Sequence, residues 1–196
     1  MSFAVLFICT GNICRSPAAE LLFRAGLADV DLLEVTSAGT SGMTGYPVDP
    51  PTARALDELG IDPDGHRARQ MDSEMLWASD LILTAAIEHR SAVLHADPSL
   101  LAKTFTLREF ARLAWKAPEA RPVGVPTDEG LRARVAAIAR KRALNRPGRP
   151  GELDIADPYG KPFEAARATV LQISRRVDIA VTELGLRRTG DPQTGG

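Results

Sequence analysis

Phe3 to Pro17 reads FAVLFICTGNICRSP. Its first part, Phe3–Ile8, is an uninterrupted apolar run, the pattern of a central strand covered on both faces. Cys9–Arg15 is a polar stretch containing Gly11 and Asn12, which predicts a loop. Ser16 then has the character of a helix N-cap and Pro17 that of a first helical residue. Leu21, Leu22 and Ala25 give the following helix its apolar face. A buried strand, a tight polar loop and a Pro-started helix form the opening of an α/β fold.

The rest of the chain repeats the alternation. Leu33–Ser37 predicts a second strand, and Gly39–Pro51 a loop rich in Gly, Pro and Thr. Thr52–Leu59 predicts a helix ending at Gly60. Ala78–Thr84 is a third apolar strand and Ile87–Leu94 a helix. Thr104–Thr106 predicts a short fourth strand leading into a Leu107–Trp115 helix. From Phe163 apolar residues recur at Ala166, Val170, Ile173, Val177, Val181 and Leu184, the spacing of a long amphipathic helix. Strands alternating with helices predict a parallel sheet with right-handed crossovers.

With 196 residues, 44% of them hydrophobic and 25% charged, the chain has the make-up of one globular domain. The net charge of −1 gives no bulk preference for nucleic acid or membrane, so any anion preference must be local. Phe3–Ile8 has no basic flank and is too short for a signal peptide or a membrane span. The two cysteines, Cys9 and Cys14, share one segment and make a poor disulfide framework, which predicts a cytoplasmic protein.

One stretch departs from the alternation. Residues 116–152 read as a basic helical insertion, with a helix at Asp128–Leu144 and a Pro/Gly linker, NRPGRPG, after it. Between Gly130 and Gly151 the charged residues are Arg132, Arg134, Arg140, Lys141, Arg142, Arg146 and Arg149. Two readings stand: a solvated helical face, or a docking surface for an acidic partner or anionic membrane. Residues 1–188 make up the domain, and 189–196 read as a flexible tail.

The chemistry lies in Cys9–Ser16, CTGNICRS. A thiol facing the positive end of a helix, beside an arginine, is favoured as thiolate. The loop amides from Thr10 through Gly11, Asn12, Ile13 and Cys14 to Arg15 suit a tetrahedral dianion. Gly11 lets the main chain curl without a Cβ clash. Arg15 supplies a planar fork matched to two phosphate oxygens.

VLFICTGNICRSPAAE resembles the signature of the low-molecular-weight protein tyrosine phosphatase family. The resemblance continues in Ser37-Ala38-Gly39-Thr40, in His66 with Arg67–Gln70, in Asp80–Thr84 and in Asp157-Pro158-Tyr159-Gly160. It implies a four-stranded parallel sheet flanked by helices, with a phosphate-binding loop between first strand and first helix. It implies Cys9 as nucleophile, Arg15 as phosphate clamp, Asp157 as general acid and base, and Ser16 as hydrogen-bond donor to the sulfur. Asn12, Ser16, Ser37 and His66 would brace the loop. No metal and no cofactor is implied, and the partner is a phosphotyrosine protein or another phosphomonoester.

The rim departs from the family's pattern. Many members carry an aromatic residue soon after SAGT, where this chain has Met43, with Tyr46 as a possible substitute. Tyr159 would form the opposite wall, and Gly160 stands where some members have a second Tyr. These differences leave the substrate's carrier group open. Cys14 has two readings, a small buried hydrophobe or a thiol that captures oxidised Cys9. His89 and His95 read as solvent-facing. Arsenate reductase on the same fold is one alternative, although that chemistry needs further cysteines and none follows Cys14. A non-catalytic phosphotyrosine-binding module is another, although such a module would lack Cys9 or Asp157. Nucleic-acid binding has no motif in its favour.

Overall fold

The computed structural model describes residues 2–27, 33–118, 121, 126–144, 149 and 151–187. Four parallel strands lie in the order β2-β1-β3-β4: β1 Phe3–Cys9, β2 Leu33–Gly39, β3 Leu81–Thr84 and β4 Thr104–Thr106. The fully apolar β1 is central, paired with β2 from Phe3↔Leu33 to Cys9↔Gly39 and with β3 from Val5↔Leu81 to Ile8↔Thr84. Seven α-helices are described: α1 Arg15–Gly26, α2 Pro50–Asp57, α3 Ser73–Ala78, α4 Ile87–Ala96, α5 Leu107–Trp115, α6 Asp128–Arg140 and α7 Phe163–Glu183. Short 3-10 turns occupy Pro98–Lys103 and Lys141–Leu144.

Alternate strand residues point to opposite faces, and the core divides accordingly. Phe3, Val5 and Phe7 join Leu81, Leu83 and Phe105 in one cluster with α1, α5 and α7. Leu6 and Ile8 join Ile82, Val93 and Leu100 under α3 and α4. The buried face of α7 is Ala166, Val170, Ile173, Val177, Ala180 and Val181, continued by Leu184, the stripe expected from the sequence.

The third strand is shorter than predicted. Ala78 ends α3, whose N-cap Asp72 accepts a bond from the Met75 amide, and β3 begins only at Leu81. Asp80, just before it, accepts a bond from the Ala4 amide at 3.0 Å and pairs with Arg132 at 2.8 Å. Burial alone would raise the Asp80 carboxyl, but these bonds and the charges of Arg132 and Lys103 hold it below the usual carboxylate range.

The basic stretch is a solvated face only in part: Arg132, Arg140 and Arg149 are exposed, whereas others turn inward. Arg134 is fully buried, bonded to Glu183 and to the carbonyls of Ala114, Ala117 and Glu183. Arg142 reaches Glu109 and the Leu101 and Thr104 carbonyls and lies over the Phe105 ring. Arg132 is held by Asp80. Arg146 and the 189–196 tail lie outside the described residues. No described helix is long and apolar enough to cross a membrane.

Candidate active site

The loop after β1 is held from outside by its carbonyls. Those of Cys9, Thr10, Gly11, Ile13 and Cys14 accept bonds from the amides of Thr40, Ser41, Met43, Asp49 and Ala18. The Asn12 carbonyl contacts His66 Nε2 at 2.8 Å. In a planar trans peptide the next residue's N–H points opposite to the carbonyl. Carbonyls turned outward therefore direct the amides of Thr10 through Arg15 toward the centre of the loop, where Cys9 sits. A concave set of amides at the start of a helix carries partial positive charge and favours an anion.

Asn12 is the one described non-glycine residue with positive φ, at 56°, a conformation Asn tolerates better than most residues. Its side chain donates to Ser16 Oγ at 2.9 Å and Ser37 Oγ at 2.8 Å and accepts from the Arg69 amide. Ser37 passes the network on to Glu20 at 2.6 Å. Gly11 does not need its missing Cβ in the way expected: an added Cβ would make ordinary contacts with Ile13 and Met43 at 3.5 Å. Glycine is required instead at Gly39, where a Cβ would lie 2.3 Å from the Thr10 carbonyl, and at Gly42, where it would lie 2.3 Å from the Arg69 carbonyl.

Ser16 is not the N-cap that its position predicts. Helix α1 begins at Arg15 with Cys14 as N-cap and no side-chain capping bond. The Ser16 hydroxyl instead lies 3.0 Å from Cys9 Sγ. Cys14 is buried, and its thiol is pushed up to about 12, first by burial. It stays a protonated, poorly nucleophilic group at neutral pH. Both cysteines are free.

Asp157 is distant in sequence but not in space. Its Oδ2 is 2.7 Å from Arg15 Nη2, with the Arg15 side chain buried and that of Asp157 about half exposed. Arg15 also donates to the Ile155 carbonyl and, at 3.2 Å, to Thr10 Oγ1. A cleft of about 170 Å³ opens above the thiol, lined by Cys9, Gly11, Ile13, Met43, Asp157 and Tyr159 among others. Tyr46 is exposed and does not line it. Among the described residues no His, Cys, Asp and Glu cluster could hold a metal.

Sequence reasoning missed several participants. His89 is buried, not solvent-facing, with Nε2 2.9 Å from Thr10 Oγ1. Burial first, then the Arg15 charge, pushes its imidazole down to about 4, so it is neutral at physiological pH. His95 is exposed as expected. Glu20 and Arg69 extend the bracing network: Glu20 lies in α1, which follows the loop directly, whereas only the fold brings Arg69, from the segment before α3, to Ser37 and Asn12.

Residues 4–130 match the family model described as low molecular weight phosphotyrosine protein phosphatase. A low molecular weight protein-tyrosine-phosphatase of Streptomyces coelicolor is 34% identical over 163 residues, 81% of this chain and 79% of that protein. A protein-arginine-phosphatase of Geobacillus stearothermophilus is 31% identical over 180 residues, 91% of this chain and 93% of that protein. Among solved structures, a low molecular weight protein tyrosine phosphatase from T. tengcongensis superposes with a TM-score of 0.67 at 30% identity, covering 93% of this chain and 100% of the other. The sheet order, the anion loop between β1 and α1 and the family-model match over residues 4–130 agree: this chain belongs to the low molecular weight phosphotyrosine protein phosphatase family.

Proposed function

We propose that the enzyme hydrolyses aryl phosphates, phosphotyrosine in proteins above all, through a phosphocysteine intermediate on Cys9. The observation that carries this reading is the convergence on one cleft of the Cys9 thiol, the Arg15 guanidinium and the Asp157 carboxyl. In the first step the Cys9 thiolate attacks phosphorus and the bond to the aryl oxygen breaks, while Asp157 gives that oxygen a proton. Arg15 and the amides of Thr10, Gly11, Asn12, Ile13, Cys14 and Arg15 hold the equatorial oxygens as charge develops. In the second step Asp157 takes a proton from water, the water oxygen attacks phosphorus, and the P–S bond breaks. Inorganic phosphate leaves, and Ser16 Oγ steadies the departing sulfur. Asn12, Ser37 and His66 are positioning residues that hold the loop's shape.

Ile13, Met43 and Tyr159 give the cleft apolar walls on either side of the thiol. That lining suits a flat ring better than a charged guanidinium. The arginine-phosphatase relative nonetheless makes phosphoarginine the competing substrate to measure. A reducing compartment, such as the cytoplasm, suits the free thiols. An acidic partner at residues 116–152 draws little support, since Arg132, Arg134 and Arg142 are engaged internally.

The test is hydrolysis of phosphotyrosine and phosphoarginine peptides by the parent, Cys9→Ser and Asp157→Asn proteins. Cys9→Ser is expected to abolish turnover. Asp157→Asn is expected to lower kcat on phosphotyrosine by about 10²–10⁴ while inorganic phosphate still binds. Undiminished turnover in either variant overturns its role, and a parent preference for phosphoarginine overturns the substrate.

A further inference from the structure

We propose a second anion site, remote from the thiol, that takes a small organic phosphate with a flat apolar body and adjusts the Asp157 segment. A cleft of about 340 Å³ lies between α5, α7 and residues 152–153, within the ~300–1,000 Å³ range of small-ligand sites. Among the described residues its charged lining is Arg108, Arg112, Lys116 and Arg176 against the single carboxylate of Glu152. That carboxylate is already engaged, with Arg112 through one oxygen and with the Arg149 amide through the other.

The cations are short of acceptors. Nε of Arg112 and Nε of Arg176 are buried with no hydrogen-bond partner among the described residues. Burial, then the neighbouring charges of Arg108 and Arg175, pushes the Arg176 guanidinium down from its usual value. Gathering like charges in a partly desolvated cleft is unfavourable, and a bound dianion reverses the sign of that interaction. Arginine forks match phosphate oxygens in pairs. At the cleft's edge Trp115 is 73% exposed, offering an indole face beside the cations. An anion with an aromatic body uses both features.

The cleft borders the arm that carries Asp157. Glu152 and Leu153 line it. Arg108, also in the lining, donates to the Asp154 carbonyl at 3.1 Å, and the Asp154 side chain holds the Ile87 amide at 2.7 Å. One residue further, the Ile155 carbonyl accepts from Arg15 at 3.3 Å. A phosphate that draws Arg108 and Arg112 toward itself changes their hold on residues 152–154, and so the placement of Asp157. This coupling rests on Asp157 being the general acid; the site itself does not.

The test uses Trp77→Phe full-length protein, in which Trp115 is the remaining one of two tryptophans, and non-hydrolysable phenylphosphonate as probe. A saturable change in Trp115 fluorescence is expected. It should be retained in Arg15→Gln, whose active-site clamp is gone, and weakened about tenfold or more in Arg176→Gln. Inorganic phosphate should bind there several-fold more weakly, for want of the ring contact. In kinetics, probe competing at the active site changes only the apparent KM, whereas probe in the second cleft changes kcat at saturating substrate, an effect absent in Arg176→Gln. No saturable Trp115 response, or one lost with Arg15→Gln and kept with Arg176→Gln, overturns the site. An unchanged kcat overturns the coupling. Hydrolysis surviving in Cys9→Ser would instead count against the catalytic reading, whatever Trp115 reports.

Discussion

His89 illustrates how a single side chain is conscripted by its surroundings. It sits on the first turn of α4, packed behind Thr10, with Nε2 bonded to the threonine hydroxyl and Nδ1 lacking a partner among the described residues. Thr10 in turn accepts from Arg15, so a neutral imidazole backs the guanidinium that meets phosphate. Burial and then Arg15 oppose its protonation, against weaker pulls from Glu88, Asp157 and Asp154, and bring it from 6.5 to about 4. Because the folded value is depressed, the unfolded chain binds the extra proton between those limits. The contribution to stability is complete above pH 6.5 and disappears as the pH falls through 4. At ~1.4 kcal/mol per unit, the contribution is about 3 kcal/mol. Urea unfolding of parent and His89→Gln from pH 7.5 to 4 should show the parent losing stability relative to the variant as pH falls. Parallel curves would refute the assignment.

At the scale of elements, the anion loop is shaped by what packs beneath it. The end of β2 passes so close to Thr10 that only glycine fits at position 39: the Cβ of an alanine would meet two backbones, at 2.3 Å from the Thr10 carbonyl and 2.8 Å from Gly42 Cα. Backbone cannot yield as a flexible side chain does. Gly39→Ala is expected to cost about 1–3 kcal/mol of stability and to lower kcat at least tenfold by shifting the loop. Gly11→Ala, with its ordinary contacts to Ile13 and Met43, should keep the parent's stability and act mainly on KM. Denaturant titration and steady-state kinetics on the two variants separate these outcomes. Equal stability in the two variants would contradict the close approach.

Across the whole molecule, helices α5, α6 and α7 are tied at one polar point inside the fold. Glu183 at the end of α7 binds Arg134 of α6 at 2.9 Å and also Arg121, while Arg134 reaches the α5 carbonyl of Ala114. The Arg134 side chain is completely buried and that of Glu183 nearly so. Removing one member strands a charge in the interior, so Glu183→Ala should destabilise by about 3–5 kcal/mol. Replacing both by apolar residues of similar size should cost far less. Chemical denaturation of the single and double variants checks this; additive losses would show that the pair is not the cause.

The sequence by itself determined the sheet, the loop and their order. An apolar strand must be covered on both faces, α7's three-and-four spacing admits one buried stripe, and CTGNICRS between strand and helix already presents a thiol, amides and an arginine. Those are local matters of periodicity and chain geometry. The resemblance names Asp157, but tertiary structure alone decided how the distant groups meet at the site. Asp157 meets Arg15, His89 backs Thr10 and Arg69 extends the bracing, because parallel strands deliver separate loops to one end of a sheet. It also decided what the basic stretch does. A run of arginines reads as a solvated face until acceptors are found inside, and for Arg134 and Arg142 those acceptors are helix-end carbonyls and buried carboxylates that no local pattern announces.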